Sequence, residues 1–115
     1  MKFYSARLLL ISLVEDGKQT KQNLYDESIV VFRASSWDHA FERALELGRQ
    51  QETTYENVYG HTVRWKLVEI INLDLIGKKV DGAEVASKLD YKRVKEPISS
   101  DAEFHPENSE PTQSF

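Results

Sequence analysis

The sequence predicts an α+β domain: an antiparallel sheet of about five strands with one amphipathic helix on one face, in the order ββαβββ, followed by a disordered tail. Three observations lead there. β-branched and aliphatic runs alternate with short polar connections, and strands joined by short links pair antiparallel. A single segment, residues 35–51, carries helical periodicity. From residue 92 onward periodicity stops, and Pro97, Pro106 and Pro111 lie among Ser, Glu, Asn and Gln, a composition that does not bury a core. The domain is read as residues 1–91 and the acidic tail as 92–115.

The first strand is "FYSARLLLISLV", residues 3–14, continuously apolar from Leu8 to Ile11 and so covered on both faces at its centre. Lys2 and Arg7 ahead of "LLLISLV" give it a faint likeness to a signal peptide. The run is short, Glu15 and Asp16 follow directly without a small-residue cleavage site, and it falls far below a bilayer's thickness. Asp16-Gly17 marks a turn. Apolar character returns at Leu24 and Tyr25, and "SIVVFRA", residues 28–34, is the second strand.

Ser35 with Asp38 three residues on reads as a capping box for the helix. Trp37, Ala40, Phe41, Ala44, Leu45 and Gly48 follow one apolar stripe, with Asp38, His39, Glu42, Arg43, Glu46 and Arg49 off it. Gly48 costs a helix interior about 1 kcal/mol unless close packing uses its missing side chain or the helix ends there. A short strand at 53–56, a long one from His61 to about Ile76, the turn "GKKVDG" and a last strand within 83–91 complete the order.

The apolar residues Leu8 to Ile11, Ile29 to Phe32 and Val68 to Ile71 face both sides of the sheet, whereas one helix covers one side. The sheet curls round the helix, the segment 76–95 folds over the back, or a second chain covers it; a homodimer is the expectation, since an exposed patch of that size is unusual on a monomer.

Composition excludes several chemistries. The 115 residues contain no cysteine, which removes disulfides, thiol catalysis and iron–sulfur ligation and suits a reducing cytosol. The net charge of −4 equals the charge of Asp101, Glu103, Glu107 and Glu110 within residues 97–115, which hold no Lys or Arg, so residues 1–96 are formally neutral and lack the basic stripe of a nucleic-acid binder. Neither nucleic acid nor membrane is an expected partner. The three histidines, His39, His61 and His105, show no ligand spacing; His39-x-x-Glu42 lacks the second pair a carboxylate–histidine metal site requires. No phosphate loop or nucleophile elbow occurs, and no cofactor is expected. Arg7, Arg33 and Arg64 fall within strands and would hold an anion only if two converged on one face. Glu69 interrupts an apolar strand and is expected to be turned outward by a bulge.

"YENVYGHTVRW", residues 55–65, is the densest polar and aromatic stretch. Asn57 and Gly60 are the first and fourth residues of a type I turn, with Gly60 at positive φ in a three-residue hairpin loop. Alternation then puts Tyr55, Asn57, His61, Val63 and Trp65 on one face and Thr54, Glu56, Thr62 and Arg64 on the other. Glu56 and His61 are thus kept apart, and no catalytic residue is assigned. Tyr55, Val63, Trp65 and Leu67 are expected to pack under the helix, and Glu56 to pair with Arg64. Trp37, Tyr55, His61 and Trp65 are the residues expected to contact a ligand or partner.

Together "FYSARLLL", "LYDESIVVFRA", the helix with Ala40 and Ala44, "YENVYGHTVRWKLV" and "GAEVASKL" resemble the bacterial Domain of Unknown Function 4288 family over residues 3–89. Tyr55-Glu56-Asn57 and Gly60-x-x-Val63-Arg64-Trp65 are the most specific phrases, and Ala86 stands where members often carry an aromatic. The resemblance implies a small bacterial, cytoplasmic protein and transfers no activity or site residue. Two functions follow from the residues: a non-enzymatic interaction module, one form of which is an immunity-type protein that neutralises a toxin, or a small-ligand binder or minor enzyme with a pocket between helix and sheet.

Overall fold

The computed structural model describes residues 1–15, 23–87 and 91–111. The turn expected at Asp16-Gly17 lies outside the described residues. Within them the elements are β1 (Lys2–Glu15), β2 (Tyr25–Ala34), α1 (Trp37–Gln50), β3 (Thr53–Glu56), β4 (Thr62–Gly77) and a short 3-10 turn, Pro106–Asn108. All strand pairs are antiparallel and the sheet order is β2-β1-β4-β3. The α+β class and single helix stand, with four strands in place of about five. Residues 83–87 are not a strand, and 88–90 lie outside the described residues. Leaving the sheet at Gly77 (φ +122) and turning again at Gly82 (φ +74), the chain instead crosses the back of β1, where Ser5 Oγ donates to the Val85 carbonyl at 2.5 Å. Of the coverings expected for the back face, the folded-over segment is present in part.

β1 is central because it is the most continuously apolar strand. Its even positions Tyr4, Ala6, Leu8 and Leu10 face α1 and form the core with Phe32, Ala34, Ala40 and Ala44. β4 keeps pace with β1 through three irregularities, which leave Ile76, Ile71 and Val68 without a partner. These shifts allow Leu67, Ile70 and Leu73, three apart, to pack on the same core, and bulges also increase the local twist. Glu69, between two of them, is exposed, as expected.

The helix start differs from expectation by one residue. Ser36, in extended conformation, is the N-cap, and its Oγ accepts from the His39 N–H at 3.1 Å. The His39 ring reaches back, with Nδ1 accepting from the Ser35 N–H at 2.9 Å, so His39 takes the role expected of Asp38. The buried stripe is also displaced. Ala40, Ala44 and Gly48 are buried with Leu47 packed beside them, whereas Trp37 is 55% exposed and Phe41 is exposed as well. Small residues let the helix backbone lie close to the sheet: a Cβ on Gly48 would sit 2.8 Å from both methyls of Leu67. The close packing offered as a reason for this glycine is therefore present. Residues 91–111 are exposed throughout.

Candidate functional site

The hairpin of residues 55–65 forms in the expected register, with Tyr55 opposite Val63 and Glu56 opposite Thr62. Asn57 organises its turn. Its N–H donates to the His61 carbonyl (2.8 Å), its carbonyl accepts from the Gly60 N–H (3.0 Å), and its Oδ1 accepts from the N–H groups of Tyr59 and His61 (both 3.0 Å). Gly60 has φ +78. The most reactive-looking amide of the stretch is thus consumed by the loop. His61 lies beside the Tyr59 ring, centroids 6.4 Å apart.

The structure places the four expected contact residues in two locations. Tyr55, His61 and Trp65 lie on one face at the Val14 end of β1, where Trp65 Nε1 approaches the Tyr55 hydroxyl at 3.4 Å. Trp37 begins α1 just after Ala34, which pairs with Lys2 at the opposite end of β1. α1 is about 21 Å long at 1.5 Å per residue, and nearly its whole length separates the two groups. Tyr55 was expected in the core and is 48% exposed, because the helix ends short of the hairpin; Val63 is buried, and Trp65 and Leu67 are half-buried against the core.

Arg7, Arg33 and Arg64 do share the back face, since Arg7 is an odd β1 position, Arg33 pairs with Phe3 and Arg64 with Leu13. They lie four and six rows apart, or about 13 and 20 Å at 3.3 Å per row, so they do not converge on one anion. Arg7 Nη1 pairs with Glu27 Oε2 at 3.3 Å, and Arg33 stands over the Phe3 ring at 4.7 Å. Glu56 and Arg64 are not among the ion pairs, contrary to expectation; Glu56 lies over the turn, its Oε1 4.0 Å from where Gly60 would carry a Cβ.

The back face also holds a cleft of about 140 Å³ under the crossing segment, lined by Ser5, Arg7, Asn72, Asp74 and residues 85–87. It is smaller than the usual small-molecule pocket of roughly 300 Å³ or more. Among the described residues no group of three or more His, Asp or Glu is disposed to hold a metal ion. Nor is any helix among them long and apolar enough to cross a membrane.

One residue with a perturbed titration was missed by sequence reasoning. Glu52 Oε2 accepts from the Leu67 N–H at 3.0 Å and pairs with Lys66 Nζ at 3.3 Å. The Leu67 N–H holds its carboxyl below the ordinary value of 4.5 against an opposing desolvation, with Lys66 and Arg49 adding to the lowering. Glu52 occupies the place where β3 stops, and its carboxylate takes the next free amide of β4. An acid directly before a four-residue strand paired with a much longer one was the available signal.

These features define a small α+β domain whose conspicuous polar residues serve turns, caps and strand ends, and whose sheet is covered by a helix on one side. The chain belongs to the DUF4288 family, a domain of unknown function, whose family model matches residues 3–87. Neither a curated protein nor a solved structure matches it.

Proposed function

We propose that this protein is a non-enzymatic interaction module that binds another protein chain through the back face of its sheet. The observation that carries the reading is the imbalance between the two faces. The buried apolar residues number nine among the described residues, four of the nine are alanine or valine from outside β1, and Leu8 is the largest side chain buried completely. Meanwhile Ile29 and Val31 on the back of β2 remain 46% and 44% exposed, beside the half-buried Phe3, Leu9, Ile11 and Leu13. Apolar area of this kind is stabilised at about 25 cal/mol per Å² when a partner removes it from water.

The reading takes the protein as bacterial and cytoplasmic, which a cysteine-free sequence suits. Toxin neutralisation is one concrete form of it, by analogy with other small α+β domains. The test is capture from the native host on wild-type protein and on Ile11→Lys and Leu13→Lys variants, with sedimentation run in parallel. A partner chain, or a second copy, held by wild type and lost from both variants supports the reading. Identical capture by all three proteins, with a monomer throughout, overturns it.

A further inference from the structure

β1 and β2 pair without a bulge over ten rows, from Lys2 opposite Ala34 to Ile11 opposite Tyr25. The next row is fixed by the Ser12 N–H donating to the Leu24 carbonyl at 2.9 Å. Hydrogen-bonded and non-bonded rows alternate in an antiparallel ladder, so the even residues of β2 bond to β1. The odd residues Tyr25, Glu27, Ile29, Val31 and Arg33 then turn their N–H and C=O groups outward. Among the described residues nothing pairs with that side, because β2 is the end of the sheet order.

The two rims of the sheet differ. Opposite β2, the rim is formed by the short β3 and by the rest of β4, which is broken by irregularities at Val68, Ile71 and Ile76 and has the Leu67 amide occupied by Glu52. Bulges and charges of that sort discourage further pairing. β2 has neither proline nor bulge along its length.

We infer that a second copy of this chain pairs with β2, antiparallel and edge to edge, about a two-fold axis through Val30. This rests on the interaction reading above and names the partner. In the register centred on Val30, positions whose numbers sum to sixty face each other. Ile29 then meets Val31 of the second copy in a hydrogen-bonded row, and Glu27 meets Arg33 of the second copy, twice by symmetry. All four side chains lie on the back face, so two ion pairs flank two apolar contacts on a surface continuous across both sheets. The strand is therefore self-complementary in charge as well as in backbone parity, as an isologous interface requires. Among the described residues Arg33 makes no ion pair, and the Glu27 carboxylate, held by Arg7 through one oxygen, keeps the other. Moving the axis by one residue to Ile29 would set Glu27 against Val31 and lose the charge match.

The chain has no cysteine, which makes the test direct. Sedimentation of the full chain is expected to give twice 13.3 kDa. Val30→Cys puts two thiols across a non-bonded row, within disulfide reach, and is expected to cross-link on oxidation, whereas Ile29→Cys and Leu13→Cys are not. Ile29→Pro removes an amide that is unpaired among the described residues, and should abolish dimerisation while leaving the circular dichroism and melting of a folded domain. Glu27→Arg and Arg33→Glu should each weaken dimerisation about tenfold or more, and the double exchange should restore it. A monomer at every accessible concentration overturns the second copy as partner, and capture of a different protein on the same face would then leave the interaction reading standing. A dimer indifferent to Ile29→Pro, with no Val30→Cys cross-link, overturns this edge and register.

Discussion

The two faces of β1 offer a comparison within one strand. Leu8 and Leu9 are neighbours with the same side chain; Leu8, under α1, is 0% exposed, whereas Leu9, on the back, is half-buried. Their composition is equal, so the difference comes from what each face is given to pack on. The front receives a helix whose alanines and glycine let it lie close. The back receives a crossing segment attached at Ser5 and otherwise depends on its own charged and aromatic residues. A strand with two apolar faces and one helix partner is thus half a structure, and the second half is where function is to be sought.

The most severe way to break this comparison is truncation. Leu8→Ala should cost about 2–5 kcal/mol, from lost transfer energy and the cavity left in a core with few large side chains. Val31→Ala on the back should cost less than about 1 kcal/mol in the monomer, because much of that side chain already meets water. Urea melts of the two variants measure the contrast, and equal costs would show that the back face is packed as tightly as the front.

Overpacking probes the same contact from the helix side. Ala44 is fully buried between α1 and the sheet. Ala44→Leu should destabilise by about 1–3 kcal/mol, since the helix must move outward to admit three carbons. The same substitution at the exposed Glu42 should change little, and thermal melts distinguish them.

Much of this was legible in the sequence where the chemistry is local. Asn57 and Gly60 specify their turn with four residues, and the register of β3 on β4 follows from it. The helix was legible from its stripe, but not its cap. Ser35 and Ser36 are adjacent and equally capable, and the choice falls to Ser36 because the His39 ring bonds back to Ser35, a contact no capping rule names. The helix's buried centre was misjudged for a related reason: hydrophobicity ranks Trp37 and Phe41 above Ala40 and Ala44, whereas close approach to a sheet selects the small residues. The segment at 83–87 reads as a strand by composition, and only a hydrogen bond to a residue eighty positions away makes it a crossing strap. The separation of Trp37 from Tyr55 and Trp65 was illegible for the same reason, since it depends on how far along β1 the helix reaches.

That strap gives the next prediction. Ser5 is buried, and among the described residues its hydroxyl makes the side-chain bond that holds the crossing segment. Ser5→Ala should cost about 1 kcal/mol, the net worth of one hydrogen bond. Its sharper readout is proteolysis: cleavage between residues 77 and 87 should accelerate while the front of the sheet stays protected from hydrogen exchange. Uniform loosening of both faces would mean that the strap is integral to the core.

The smallest effect lies at the rim, where Glu52 stands in for the strand that β3 does not extend to provide. Its carboxyl is held below the ordinary 4.5 by the Leu67 N–H, with help from Lys66 and Arg49. A carboxylate with a depressed folded-state value binds protons more readily when unfolded. Its contribution is therefore complete above about pH 4.5 and fades as pH falls through the lower folded value. The group is solvent-accessible and its charges are screened, so the effect should be small and should shrink further in salt. Glu52→Gln keeps an acceptor for the Leu67 amide and removes the titration, so its stability relative to wild type should converge toward acid pH. A difference between the two proteins that stays constant from neutral pH down to pH 3 would show that the Leu67 hydrogen bond does not depend on the charge. The rim of β4 would then be closed by geometry alone, and its contrast with the open edge of β2 would rest on the bulges.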